Sequence, residues 1–131
     1  MWKNYYRDLG SLDPADHGAI QVWLGRFPAL SSAEGPAAAV AYQANVIDSS
    51  LGQDFADVIR EFARITVRSA RGPAFVPTDL EIETVRFLLL GLDRYWYLRW
   101  SQEADFSAPT DDAITVFVSV TLARIREPAL T

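Results

Sequence analysis

Leu51, Phe55, Val58, Ile59, Phe62 and Ile65 recur at i, i+4, i+7, i+8, i+11 and i+14. That spacing puts six apolar side chains on one face of an α-helix, over SSLGQDFADVIREFARITVRSARG. Asp54 and Asp57 near its start, and Arg64, Arg68 and Arg71 near its end, complement the helix dipole. Gly72-Pro73 terminates it. A long one-sided helix must bury its stripe, so the rest of the chain has to supply a core for it.

The punctuation elsewhere also marks helices. Asp13-Pro14 reads as an N-cap before a proline at the first helical position, opening ADHGAIQVWLGRF, which Pro28 stops. Ser31 and Ser32 can cap a segment AEGPAAAVAYQANVI, with Gly35-Pro36 in or before its first turn. Thr78-Asp79-Leu80-Glu81 is a capping box, and the helix it opens runs to about Trp100. SQEADFSAP reads as a loop. Thr110 caps a last helix, DDAITVFVSVTLARIR, closed by Pro128, with Ile114, Phe117, Val118, Leu122 and Ile125 on one stripe. Val116, Val120 and Ala123 lie off that stripe. The β-branched run ITVFVSVT also fits a strand, but no second strand candidate exists to pair with it. The expected class is all-α, a bundle of about six helices forming a single domain over 1–131.

The chain has 131 residues, half of them hydrophobic, which is enough for a core without staples. It has no cysteine, which excludes disulfides, thiolate metal sites and a cysteine nucleophile. Its formal net charge is −5, and Lys3 is the only lysine. An acidic chain repels a phosphate backbone, so direct nucleic-acid binding is not expected. The first residues, MWKNYYRDLG, lack the apolar stretch of a signal peptide, and no apolar run approaches the ~20 residues of a membrane span. The expectation is a cytoplasmic protein.

One stretch resists the simple bundle. LLLGLDRYWYLRW, residues 88–100, places Tyr95, Trp96, Tyr97 and Trp100 in one run with Arg94 and Arg99 between them. This helix and the last are both apolar on more than one side. In a small bundle most helices meet solvent, so a second apolar face calls for a partner. Large aromatics and arginines are what protein interfaces favour. The expectation is a homodimer whose last two helices pair with their copies as a four-helix bundle. Exposure of Arg94, Arg99 and the phenolic hydroxyls to water is the alternative.

At this point the chain resembles the C-terminal regulatory domain of TetR-type transcriptional regulators. AYQANVIDSSLGQDFADVIREFARITVRSARG resembles that family's pair of central helices, which line a ligand cavity. TDLEIETVRFLLLGLDRYWYLRW resembles its penultimate helix, and DDAITVFVSVTLARIR its final one. The likeness covers roughly residues 37 to 127, in layout rather than in a signature motif. It implies a bacterial, homodimeric repressor domain that binds a small apolar or aromatic ligand. The family's helix-turn-helix DNA-binding domain has no counterpart in this sequence. The seam residues implied are Leu92, Tyr95, Arg99, Phe117, Val118, Thr121 and Ile125. The candidate ligand linings are Trp23, Phe27, Tyr42, Asn45, Phe62, Thr66 and Trp96. For the apolar ones, membership of the core is the competing role. Tyr42 and Asn45, at i and i+3, carry a hydroxyl and an amide on an otherwise apolar helix. The bulk of RYWYLRW leaves its aromatics two destinations, seam and pocket.

Catalytic chemistry finds little footing. His17, the only histidine, shares a helix face with Asp13 at i, i+4, but two ligands do not make a metal site. Asp54/Asp57, Glu81/Glu83 and Asp111/Asp112 lie near helix N-termini, where the dipole accounts for them. There is no G-x-S-x-G, S-x-x-K, G-x-G-x-x-G or P-loop. Neither an enzyme, a cofactor nor a metal is expected. The reading alternative to a ligand sensor is a stand-alone helical dimer, a structural or interaction protein with no ligand.

Overall fold

Trp2, Tyr5, Tyr6 and Leu9 lie at i, i+3, i+4 and i+7, which is one face of a helix. They open the computed structural model, which describes residues 2–34, 49–101 and 108–127. The fold is all-α. In chain order the helices are α1 (Trp2–Ser11), α2 (His17–Gly25), α3 (Phe27–Glu34), α4 (Ser49–Arg71), α5 (Asp79–Ser101) and α6 (Ala108–Arg126). The helix expected over AEGPAAAVAYQANVI, with Tyr42 and Asn45, and most of the expected loop SQEADFSAP lie outside the described residues.

The long helix is α4, as its stripe predicts. Gly72, at φ 104°, occupies the left-handed position after it, and its N–H donates to the Arg68 carbonyl at 2.8 Å. The expected capping box opens α5. The Thr78 N–H and hydroxyl donate to Glu81 Oε1 at 3.0 and 2.8 Å, and the Glu81 N–H donates to Thr78 Oγ1 at 3.3 Å. The run ITVFVSVT is helical within α6. Its threonines offset their poor helix propensity by donating back along the helix, Thr115 to the Asp111 carbonyl and Thr121 to the Phe117 carbonyl, both at 2.9 Å.

Four boundaries differ from the sequence reading. Thr110, expected as the cap of the last helix, lies within the first turn of α6, which begins at Ala108. Asp13 caps a turn rather than a helix: its carboxylate accepts from the Ala15 N–H at 2.9 Å and its carbonyl from the Asp16 N–H at 3.0 Å. Asp16 is the N-cap of α2, accepting from the Ala19 N–H. Phe27 and Pro28 begin α3 instead of ending α2, and Ser31 and Ser32 lie inside α3. Proline is tolerated there because the first turn of a helix has no use for its missing N–H.

The core is built around α1, which packs along α4, while α4, α5 and α6 pack on one another and α6 also packs on α2. Tyr5, Tyr6 and Leu9 of α1 are buried with Ile59, Ala63 and Val67 of α4. Ile82, Val85, Leu88, Leu89 and Leu92 of α5, and Val118, Leu122 and Ile125 of α6, complete the cluster. Contact between α1 and α4 is closest at Gly10, where a Cβ would stand 2.3 Å from the Thr66 carbonyl oxygen and 2.7 Å from Ser69 Cβ. Thr66 Oγ1 donates to the Tyr6 carbonyl at 3.0 Å and Ser69 Oγ to the Arg7 carbonyl at 2.6 Å, so the α4 hydroxyls add a second hydrogen bond to carbonyls that already accept within α1.

At this end of the bundle two arginines close further helix termini. Arg126 donates to the Gly10 and Leu12 carbonyls at 3.0 and 2.6 Å. Arg71 donates to the Ile125 and Glu127 carbonyls at 3.1 and 2.8 Å and pairs with Glu81 at 3.6 Å. Glu81 is only 1% exposed, so this cation and the capping-box bonds are what make a buried carboxylate tolerable.

Replacing Gly10 with alanine is expected to force α1 off α4, at a cost of about 1–3 kcal/mol typical of overpacking. Gly25→Ala is the control, because a Cβ there meets nothing within 4 Å. Calorimetry should show a melting temperature lowered by several degrees for Gly10→Ala and unchanged or raised for Gly25→Ala.

Candidate functional site

The richest chemistry in the described residues is an aromatic cluster where α1, α2, the start of α3, α4 and α5 converge. Helical spacing on α1 delivers Trp2, Tyr5 and Tyr6; α2 delivers Trp23, the start of α3 Phe27, α4 Phe62 and α5 Trp96. The Tyr5 and Trp23 rings stack at 4.2 Å and 6°. They also lock each other by reciprocal bonds: the Tyr5 hydroxyl donates to the Trp23 carbonyl at 2.8 Å, and Trp23 Nε1 donates to the Tyr5 carbonyl at 2.9 Å. Phe27 and Trp96 stack at 3.8 Å and 2°. Tyr6 and Phe62 stack at 4.5 Å and 21°. Trp2 meets Phe27 at 5.5 Å and Tyr5 at 6.0 Å, closing the group. Offset and edge-on ring contacts each add ~0.5–1.5 kcal/mol beyond area burial.

Two polar features stand out in or beside this cluster. Trp96 is 5% exposed, and among the described residues its Nε1–H has no hydrogen-bond acceptor. Asp93, one turn earlier on α5, is largely buried, and burial pushes its carboxyl up to about 6. Its field acts on Tyr6, whose hydroxyl is held neutral, first by its own burial and then by Asp93. Burial likewise raises Tyr5, whose ring lies 5.5 Å from the Arg26 guanidinium. Further along α5, the Tyr95 hydroxyl donates a short hydrogen bond to the Asp111 carboxylate, and Arg99 pairs with the same oxygen at 3.2 Å. Burial and that bond raise the Tyr95 phenol to about 12. The pair ties α5 to the first turn of α6.

Of the expected ligand linings, the structure brings Trp23, Phe27, Phe62, Thr66 and Trp96 to this one region. Thr66 is fully buried and spends its hydroxyl on the Tyr6 and Phe62 carbonyls, both at 3.0 Å. Tyr42 and Asn45 lie outside the described residues. Sequence reasoning missed Tyr5, Tyr6 and Asp93. The first two carry a signal in the i, i+3, i+4, i+7 pattern of Trp2, Tyr5, Tyr6 and Leu9. Asp93 carries one as a lone acid in the run LLLGLDRYWYLRW.

The expected seam residues divide. Leu92, Val118 and Ile125 have no exposed surface, and Thr121 is buried beside them, so these four serve the chain's own core. Their burial follows from α5 packing on both α4 and α6 and from α6 packing also on α2 and α4, which consumes a wide arc of both helices. Tyr95 and Arg99 bind Asp111 within the chain. Phe117 is 46% exposed and covers Gly91, with its ring edge 3.6 Å from where a Cβ would stand. Beside it on α6 are exposed Val116 and Val120, and one turn from Gly91 on α5 is Phe87, 62% exposed. These four side chains make an apolar surface on α5 and α6 that the sequence stripes did not assign to the seam, Phe117 apart.

His17 is exposed at the start of α2, and among the described residues no group of three or more His, Asp or Glu side chains is placed to hold a metal ion. No described helix is long and apolar enough to cross a membrane. Set against known proteins, the chain matches no family model, no curated protein and no solved structure.

The buried Asp93 sets a pH dependence with a definite sign. Its folded pKa lies above its unfolded value of about 3.9, so its carboxyl favours the fold at low pH. That contribution is lost as pH rises from about 4 through about 6. Asp93→Asn removes the loss. The melting temperature of the variant minus that of the parent is expected to increase between pH 4 and pH 7, by roughly 5 °C, and to stay flat above pH 7. Differential scanning calorimetry at four pH values checks it.

Proposed function

We propose that this chain is a dimerising, ligand-sensing domain of a TetR-like repressor, whose copies pair through α5 and α6. The observation that carries the reading is the apolar surface formed by Phe87, Val116, Phe117 and Val120 on the same two helices that also fill the chain's core. Exposed large apolar side chains grouped in this way mark interaction surfaces. Two copies related by a two-fold axis would bury them in an intermolecular four-helix bundle. The aromatic cluster, on the other side of α5, is then the place where a small apolar or aromatic ligand acts. α5 belongs to both sites, so a ligand that favours one arrangement of α5 shifts the dimer's geometry. In a regulator with DNA-reading heads, that shift changes their spacing. With a net charge of −5, the chain itself is left to sense and pair, not to bind a phosphate backbone. A bacterial, cytoplasmic setting belongs to this proposal.

A second reading, a stand-alone helical dimer with a structural or interaction role, is favoured by one observation. The rings of the cluster pack on each other, so they serve as core without a ligand.

Light scattering tests the pairing common to both. The expected mass at micromolar concentration is twice the 14.6 kDa of the chain. Phe117→Asp and Phe87→Asp are expected to give folded monomers, since both side chains are solvent-exposed in the single chain and their loss costs its core little. A parent protein of 14.6 kDa across that range overturns the reading. Thermal shifts with small aromatic compounds separate the sensor from the ligand-free dimer.

A further inference from the structure

We infer that Trp96 and Phe27 form a closed slot for a neutral ligand made of a flat ring and a short arm ending in a carbonyl. This deepens the ligand-sensing reading above and rests on it. Three observations lead there.

First, one buried side-chain polar atom of the aromatic cluster lacks a partner among the described residues. Tyr5 and Trp23 exchange hydrogen bonds, while the Trp96 indole N–H, also buried, has no acceptor there. A buried donor left unpaired is costly, and native structures keep few of them. Second, the surface of Trp96 is taken by a coplanar ring. Phe27 lies 3.8 Å away at 2°, which is the place a flat ligand would occupy. Third, Phe27 is only partly buried and starts the short helix α3, whose packing on the described helices is chiefly with α2. The Phe27 ring is held by its stack on Trp96 and by tilted contacts with Trp2 and Tyr5, which a flat ligand in its place would repeat. The neighbouring Tyr5 and Trp23 are locked by paired bonds.

The geometry fixes the ligand's shape. An indole N–H points along the plane of its ring, whereas a stacked partner sits above that plane. A ligand that replaces Phe27 and also satisfies Trp96 needs an acceptor set off from its ring by a short link. One methylene followed by a carbonyl brings an oxygen down from the stacking plane to the indole edge. The surrounding rings of Trp2, Tyr5 and Trp23 suit a neutral ligand better than a charged one, because nothing among them repays the desolvation of a charge.

The probes are phenylacetamide and isobutylbenzene, which share ring, methylene and arm shape and differ at the end of the arm, where an amide, with its acceptor and two N–H donors, replaces a branched alkyl group. The readout is the set of indole N–H signals of 15N-labelled protein, with Trp96 identified by Trp96→Phe. Phenylacetamide is expected to shift the Trp96 signal and to bind about tenfold more tightly than isobutylbenzene, the worth of one buried hydrogen bond. In Trp96→Phe the two probes should bind alike. Phe27→Ala, or Phe27→Leu if alanine unfolds the chain, should tighten both by removing the competing ring. Equal binding of the two probes to the parent, an unmoved Trp96 signal, or binding confined to the Phe27 variants overturns the slot. Light scattering on the same samples separates the two readings. A monomer that binds phenylacetamide keeps the slot and removes the repressor reading. A dimer indifferent to both probes removes the slot alone.

Discussion

The close approach of α1 to α4 at Gly10 is the constraint on which the rest depends. No other residue type leaves room for the Thr66 carbonyl at that point. The approach brings Thr66 and Ser69 within reach of the Tyr6 and Arg7 carbonyls, so hydroxyls of α4 bond directly to the backbone of α1. It also aims Tyr5 and Tyr6 inward. Tyr5 then fixes α2 through the stacked, doubly hydrogen-bonded contact with Trp23, and Trp23 and Phe27 together cover Trp96 of α5. One glycine thus orders a chain of contacts that reaches four other helices.

The two ends of α5 are held by different chemistry. At its start, Glu81 closes a capping box and accepts the charge of Arg71, which also reaches the last carbonyls of α6. Near its other end, Tyr95 and Arg99 share the carboxylate of Asp111. The first end is largely dry, and loss of either ion there leaves an uncompensated buried group. The second is half exposed, and its ion pair contributes correspondingly less. The stronger of the two ties is therefore at the start of α5, away from Trp96.

α5 and α6 also show how one helix serves two tasks. Their inner arcs, with Leu88, Leu92, Val118 and Ile125, are spent on the chain itself. Their outer arcs carry Phe87, Val116, Phe117 and Val120. The Phe117 ring edge lies against Gly91, 3.6 Å from where a Cβ would stand.

The helical class, the long stripe of α4, the Gly72 stop, the Thr78–Glu81 box and the double apolar character of α5 and α6 are all local patterns of spacing and capping. Such patterns act within a few residues, so the sequence carries them openly, whereas the cluster residues on α2, α4 and α5 became candidates only through the family resemblance. What the sequence did not disclose was direction. Ile125 and Val118 face the core while Phe117 faces solvent, although all three belong to one predicted stripe, because the arc a helix buries is set by how many neighbours touch it. The role of α1 was equally hidden, since the worth of Tyr5, Tyr6 and Gly10 arises from partners 18 to 60 residues away. The orphaned Trp96 N–H is likewise a product of packing. Spacing decides which side chains share a face, and only the assembled helices decide what that face meets.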